Sequence, residues 1–335
     1  MSIGVSVIVC CYNSESRIPT TLEYLANQQL DADTNLEIII VNNNSTDKTA
    51  EIAVKTWASF SSSFLFQIVN QPIPGLSAAR EKGIEAATFD ILIFCDDDNW
   101  LSPDYVIKAY EILKSNTKIA AVGGINLGVF ETPPPKWITI FEASYALGNQ
   151  GSMDFEVLQG NKYIVGAGMA LNKLAYIDIK QRGFNFFLTD RIGNKIVGGG
   201  DVELCYILKI AGYQIAFSSE LTLEHYMPTS RMTESYLTKM WHNYSYSWLV
   251  FEAYKIFLFK KDFKSYTYFF WKVESFKRLF SKSKGLLFYL RCKRKGNLSY
   301  CLPYEAELLF NTYLFFNTKR LLKITQNIHQ KLYNE

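Results

Sequence analysis

Apolar positions along the first hundred residues alternate between unbroken runs and helical steps. Residues 5–13 (VSVIVCCYN) are an apolar run that stops at a polar turn, the pattern of a buried strand. In residues 16–30 (SRIPTTLEYLANQQL), Ile18, Leu22, Leu25 and Ala26 recur at the spacing of one helical face. Residues 36–57 (LEIIIVNNNSTDKTAEIAVKTW) repeat the scheme: apolar run, Asn/Ser/Thr/Asp turn, helix. A third strand is expected over 64–71, a helix over 75–87 and a fourth strand over 89–98. Apolar strands alternating with helices predict an α/β fold, a doubly wound, mostly parallel sheet covered on both faces. Further on, residues 161–176 (NKYIVGAGMALNKLAY) read as a strand leading into a helix. From about residue 233 the chain reads as aromatic, basic helices.

The polar clusters Asn13-Ser14-Glu15, Asn42 to Asp47 and Asp96 to Asp98 each follow the carboxyl end of an expected strand, where open α/β sheets bind their ligands. Asp96-Asp97-Asp98 is the most unusual. Adjacent carboxylates repel, and at the edge of a core they lose hydration. Two carboxylates two residues apart can hold a hard divalent cation beside a diphosphate. The plainer alternative is an acidic turn before a helix begun by Ser102-Pro103-Asp104.

Charge adds a second feature. Residues 255–295 hold thirteen Lys/Arg against Asp262 and Glu274, a local +11 that leaves −8 on the rest of a chain whose overall charge is +3. Together with Trp241, Trp248, Phe257, Phe259, Phe269, Phe270, Trp271, Phe276 and Phe280, this tail suits an anionic membrane surface; packing on the catalytic core is the alternative. No nucleic-acid-binding signature accompanies it. The six cysteines lack CxxC spacing and are expected as free thiols. The N-terminal residues do not read as a signal peptide, and no run of about 18 predominantly apolar residues occurs, the uncharged stretch 56–79 being broken by Ser, Asn, Gln, Pro and Gly, which predicts a cytoplasmic protein, peripheral on the inner membrane face where it meets lipid.

In order, the segments VSVIVCCYNSE, IIIVNNNSTDKT, GLSAAREKGIEAA, FCDDDNW and GGDVELCYILKIAGY resemble those of the family 2 glycosyltransferases of the bacterial cell-surface polysaccharide type, over roughly residues 3–230. The resemblance implies a GT-A fold over 1–231, with 232–335 as a helical extension. It also implies a nucleoside-diphosphate sugar donor, UDP-linked by default, a Mg²⁺ or Mn²⁺ ion, a glycan or lipid-linked acceptor, and inversion at the anomeric carbon. By position, Asp98 would ligate the metal, with His225 completing that site, and Asp96 would contact ribose or metal. Asn42 would meet the base and Arg80 the base and phosphates. Cys11, Tyr12, Asn13, Glu15, Asn44, Asp97 and Gly168 join them as donor-binding candidates. Asp201 would be the general base, since inverting transfer needs a carboxylate to take the proton of the attacking hydroxyl.

Trp137, Glu203 and Arg231 are the acceptor-side candidates: Trp137 as a stacking platform or a core plug, Glu203 as a second acid, Arg231 as a cation able to neutralise diphosphate. Three positions depart from the family pattern. Asn42 stands where an Asp is frequent, Glu81 where Asn is usual, and Gly200 where a Glu usually precedes the Asp. They leave open a catalytically silent nucleotide-sugar-binding module. A sugar nucleotidyltransferase would share the architecture and the metal carboxylates, and a membrane-docked scaffold would bind lipid while ignoring nucleotides.

Overall fold

A computed structural model of the chain describes residues 4–190, 198–283, 286–294 and 298–333. β1 (Gly4–Cys11), α1 (Ile18–Ala26), β2 (Asn35–Asn42), α2 (Thr49–Ala58), β3 (Leu65–Asn70), α3 (Leu76–Ala86) and β4 (Ile91–Asp96) reproduce the expected alternation. These four strands lie in the order β3-β2-β1-β4, all parallel. β1 is a continuous apolar run because both of its faces are covered. Val5, Val7 and Val9 pack with Ile18, Leu22 and Leu25 of α1, whereas Ile8 packs with Ala79 and Ile84 of α3.

The second half of the sheet is mixed. It contains β5 (Asn99–Leu101), β6 (Ile119–Phe130), β7 (Gly148–Asn149), β8 (Phe155–Val157), β9 (Ala170–Asn172) and β10 (Gln214–Met227), with helices α4 (Tyr105–Ser115), α5 (Ile138–Phe141), α6 (Lys173–Gln181) and α7 (Gly200–Ile210). β9 is wedged antiparallel between β4 and β6. The strand expected within 161–176 is therefore only three residues long. Its run is cut short by the turn at Gly166-Ala167-Gly168 and ends where Asn172 caps α6, its side chain accepting from the N–H groups of Leu174 and Ala175.

α8 (Glu234–Leu258), α9 (Tyr268–Ser283), α10 (Leu286–Arg294), α11 (Leu298–Phe316) and α12 (Thr318–Tyr333) complete the chain. Leu249, Val250, Ala253 and Tyr254 of α8 are fully buried in one core with Val202 and Leu204 of α7, Leu314 of α11 and Leu321 of α12. The tail thus packs on the sheet-bearing part through its aromatic and aliphatic residues. Among the described residues the six cysteines form no disulfide. Among the described residues no helix is long and apolar enough to cross a membrane.

Candidate active site

A cavity of about 730 Å³ opens beyond the carboxyl ends of β1 and β4, bounded by the turn after β4, the start of α7, the end of β10 and α8 from Tyr236 to Phe251. β-Pairing brings its distant residues together. β10 runs antiparallel to β5 with His225 opposite Asn99, and the N–H of Tyr226 donates to the carbonyl of Asp98 at 2.9 Å. Asp98 is consequently held beside His225, with Nε2 3.6 Å from Oδ1, while Asn99 Nδ2 donates to the same oxygen at 3.3 Å. Arg231 Nη1 lies 2.8 Å from Oδ2. Asp98 is 3% exposed, so its charge is carried by these neighbours and not by water. Burial pushes His225 below its ordinary pKa, against the pull of Asp98, and its Nδ1 is a buried atom with no hydrogen-bond partner.

Asp97 points the other way, into the N-terminus of α1. Arg17 grips it with Nη2 at 2.7 Å and Nε at 3.3 Å, and the Ser14 hydroxyl donates to it. Its pKa is nevertheless raised, because burial and the adjacent Asp98 outweigh Arg17. Asp97 accordingly anchors α1 to the acidic turn while still bordering the cavity.

On the opposite wall the Arg80 guanidinium lies 5.1 Å from the centre of the Phe94 ring and 3.4 Å from Asp190. A β-carbon at Gly166 would collide with Arg80 Nη2, so only glycine lets the guanidinium reach this place. Asp190 accepts from the N–H of Gly200 at 2.7 Å, and a side chain at position 200 would collide with its carboxylate. The acid absent from position 200 is thus met in space by one from position 190. Asp201, in the first turn of α7, accepts from the N–H of Gly166 at 2.7 Å and of Val202 at 2.8 Å. Among the described residues, neither Asp96 nor Asp201 forms an ion pair, whereas Asp97, Asp98 and Asp190 each face an arginine.

Cys11, Tyr12, Asn13, Asn44, Arg80, Asp96, Asp97, Asp98, Asp201, His225 and Arg231 all border the cavity. Five expected residues do not. Glu203 is fully buried behind α7, accepting from the N–H groups of Phe187 and Leu188 and from the Tyr254 hydroxyl at 2.8–2.9 Å; it cannot meet an acceptor and instead ties α7 to α8. Trp137 packs between Phe141 and Tyr145 in a small core under α5. Glu15 accepts from the N–H of Lys48, joining the loops after β1 and β2. Gly168 turns its carbonyl to the Tyr105 hydroxyl, leaving Gly166 and Ala167 on the wall. Asn42 donates to Asn70 on β3, and its neighbour Asn43 faces the cavity while pinning the loop before α3.

Arg17, Asp190 and the α8 residues Tyr236, Trp241, Tyr244, Trp248 and Phe251 border the cavity without having been singled out for it from the sequence. Arg17 was signalled only as a cation just after a strand-end turn. Asp190 carried no motif. The aromatic residues of α8 read equally as core.

Among the described cavity residues three arginines stand against five aspartates, a net −2. A diphosphate entering this field would need additional positive charge. Among the described residues no group of three or more His, Cys, Asp or Glu is arranged to hold a metal ion. Asp98 and His225 are two donors of suitable chemistry, and a hard cation held by one or two protein ligands takes its remaining oxygens from phosphate and water. The residues present fit such an ion in company with a diphosphate.

The sequence model for "Glycosyl transferase family 2" matches residues 6–179, more than half of the chain, and the chain belongs to that family. It is 45% identical over 102 residues to EpsH of Bacillus subtilis (strain 168), a match covering 30% of this chain and 28% of that protein. Matches to the first curated relatives span less than a third of those proteins' lengths. Among solved structures, the chain resembles the mannosyltransferase PcManGT from Pyrobaculum calidifontis, in complex with GDP-Man and Mn²⁺, at a TM-score of 0.57 and 17% identity, over 99% of this chain and 87% of that one. It also resembles S. aureus TarS 1–349 in complex with UDP, at 0.52 and 14%, over 99% and 92%. These likenesses establish a GT-A-like fold.

Proposed function

We propose that the chain transfers a sugar from a nucleoside-diphosphate sugar, UDP-linked by default, to an acceptor hydroxyl by a single displacement with inversion. The observation that carries this reading is that the acidic turn and Asp201, distant in sequence, border one cavity together with Arg80 and Arg231.

The two arginines face the region where a diphosphate would lie, and Asp96 is available to a ribose hydroxyl. Asp98 and His225 would hold Mg²⁺ or Mn²⁺, which when bound supplies Lewis-acid neutralisation of charge on the leaving diphosphate. Asp201 takes the proton of the attacking hydroxyl as its oxygen bonds to the anomeric carbon. The bond from that carbon to phosphate oxygen breaks, and its electron pair leaves with the nucleotide. Freedom from an ion pair leaves Asp201 lone pairs to accept that proton, and its two backbone hydrogen bonds fix its direction.

The acceptor is a glycan or lipid-linked saccharide of the cell-surface polysaccharide type. Support comes from Tyr236, Trp241, Trp248 and Phe251 of α8, whose rings line the cavity and offer apolar faces to a sugar or aglycone.

Asp201→Asn is the test. The amide keeps an oxygen for the Gly166 N–H and gives up only the local bond from the Val202 N–H, so donor binding should change little while transfer falls about 10²–10⁴-fold. Transfer within about tenfold of the native rate would remove Asp201 from the reaction. Thermal-shift screening of nucleotide sugars with and without Mn²⁺ identifies the donor.

A further inference from the structure

α9 is apolar on two opposite sides. Trp271 and Ser275 are buried against the protein, and Arg278 reaches inward to Glu252 of α8 and to Glu274. At about 100° per residue, Phe269, Phe276 and Phe280 fall on a single stripe pointing away from that packed side. They are 76%, 60% and 67% exposed, and Phe316 at the neighbouring end of α11 is 75% exposed. Lys272 links the two helices, donating to the Phe315 carbonyl with its ammonium over the rings of Tyr268 and Phe315. The three α9 rings present on the order of 400 Å² of apolar surface to water, as large as the biggest patch on a typical monomer.

The exposed charges of α9 and of the turn leading into it are mostly positive. Lys260, Lys261, Lys264 and Lys277 are exposed, against the exposed Asp262. Glu274 is occupied by Arg278, and Asp262 accepts from the N–H of Lys264 within its own turn. Aromatic rings accompanied by an excess of ammonium groups complement a layer that is apolar below and anionic at its surface. A 16-residue helix is about 24 Å long, short of a bilayer's hydrocarbon core, and its opposite side is already packed on protein.

We propose that the outward face of α9, centred on Phe269 and Phe276 and rimmed by Lys260, Lys261, Lys264 and Lys277, lies flat on an anionic lipid bilayer. The rings enter the headgroup–acyl boundary and the ammonium groups meet lipid phosphates. None of these residues borders the cavity, and the proposal is independent of the reaction assigned there.

The full chain is sedimented, without nucleotide, with vesicles of phosphatidylcholine alone and of phosphatidylcholine mixed with phosphatidylglycerol. Binding should favour the anionic vesicles by at least about tenfold and weaken as salt is raised. Phe269→Ser with Phe276→Ser should lower the partition at least about tenfold, since both rings leave the interface. Lys260→Glu with Lys261→Glu and Lys277→Glu should abolish the preference for anionic lipid. All altered side chains are on the surface, so native melting and an unchanged UDP-induced thermal shift certify fold and donor site separately from vesicle binding. Three results would each overturn the proposal. One is the absence of sedimentation with anionic vesicles, another is equal binding by the double Phe variant. The third is a dimer, seen by light scattering and dissolved by that variant, in a protein that ignores lipid.

Discussion

Arg231 holds Asp98, the carboxylate proposed above to ligate a divalent cation, at 2.8 Å. Arg231→Gln removes the guanidinium and leaves Asp98 with His225 at 3.6 Å and Asn99 at 3.3 Å as its remaining polar side-chain neighbours among the contacts described above. Two unit charges about 4 Å apart interact by about 4 kcal/mol at an effective dielectric constant near 20. Removing one partner of a buried pair costs about 3–5 kcal/mol. Because the Arg231 side chain is 23% exposed, against 4% for Asp98, the lower end of that range is the better guide. Metal-free Arg231→Gln should therefore lose about 3 kcal/mol, a fall in Tm of roughly 4 °C for a chain of this size. Mn²⁺ should bind the variant more tightly than the native protein in the absence of nucleotide, because no guanidinium has to be displaced. Recovering about 2 kcal/mol corresponds to about a thirtyfold lower Kd. Titration followed by the Mn²⁺ paramagnetic signal measures the affinity, and melting curves at rising Mn²⁺ should bring the two proteins together. Arg231→Lys keeps the charge and should stay close to native. If Arg231→Gln binds Mn²⁺ no more tightly than native and its Tm deficit persists at saturating Mn²⁺, Asp98 is not the cation's ligand and the competition does not exist.

Other perturbations read other parts of the site. Burial lifts the Glu203 carboxyl from an ordinary 4.5 to about 7. Its folded value exceeds its unfolded one, so its contribution is fully present below about pH 4.5 and is lost as pH rises through about 7. Native unfolding free energy in urea should carry a decline of up to about 3 kcal/mol across that window, and Glu203→Gln should remove this component. Gly166→Ala should push Arg80 off the wall and weaken UDP binding, measured by calorimetry, and lower Tm as the buried pair with Asp190 is disturbed; unchanged affinity would dissociate Arg80 from the donor. Arg17→Ala should uncouple α1 from the acidic turn and lower the unfolding free energy in urea by about 1–3 kcal/mol, because Asp97 then stays buried without its bidentate partner.

The strands β1 to β4 were legible because each is an apolar run bounded by turn residues, and their ends located the acidic turn. Local patterns could not show pairings between distant segments. Nothing near His225 reveals that β10 meets β5 opposite Asn99, although a resemblance by position pointed to it. Asp190 acquires its place only through the hydrogen bond it accepts from the N–H of Gly200, a contact written as the absence of a side chain. Glu203 looked like a surface acid of an amphipathic helix. α8 and the 187–188 backbone cover that side and supply three donors, so burial reversed the expectation. Trp137 followed the proline turn into a core, since Phe141 and Tyr145 offered it ring contacts. The tail was ambiguous for a plain reason: a helix aromatic on two sides shows no single periodic face, and only its packing partners separate the inward rings from the outward ones.

α8 runs unbroken for 25 residues, about 38 Å; its residues from Tyr236 to Phe251 wall the cavity, and residues 259–267 lead from its end to α9. One helix thus joins the reaction chamber to the surface proposed to rest on lipid. With α9 on a lipid sheet, a membrane-borne acceptor would be measured by reach, its reactive hydroxyl entering only when enough sugar or carrier separates it from the bilayer.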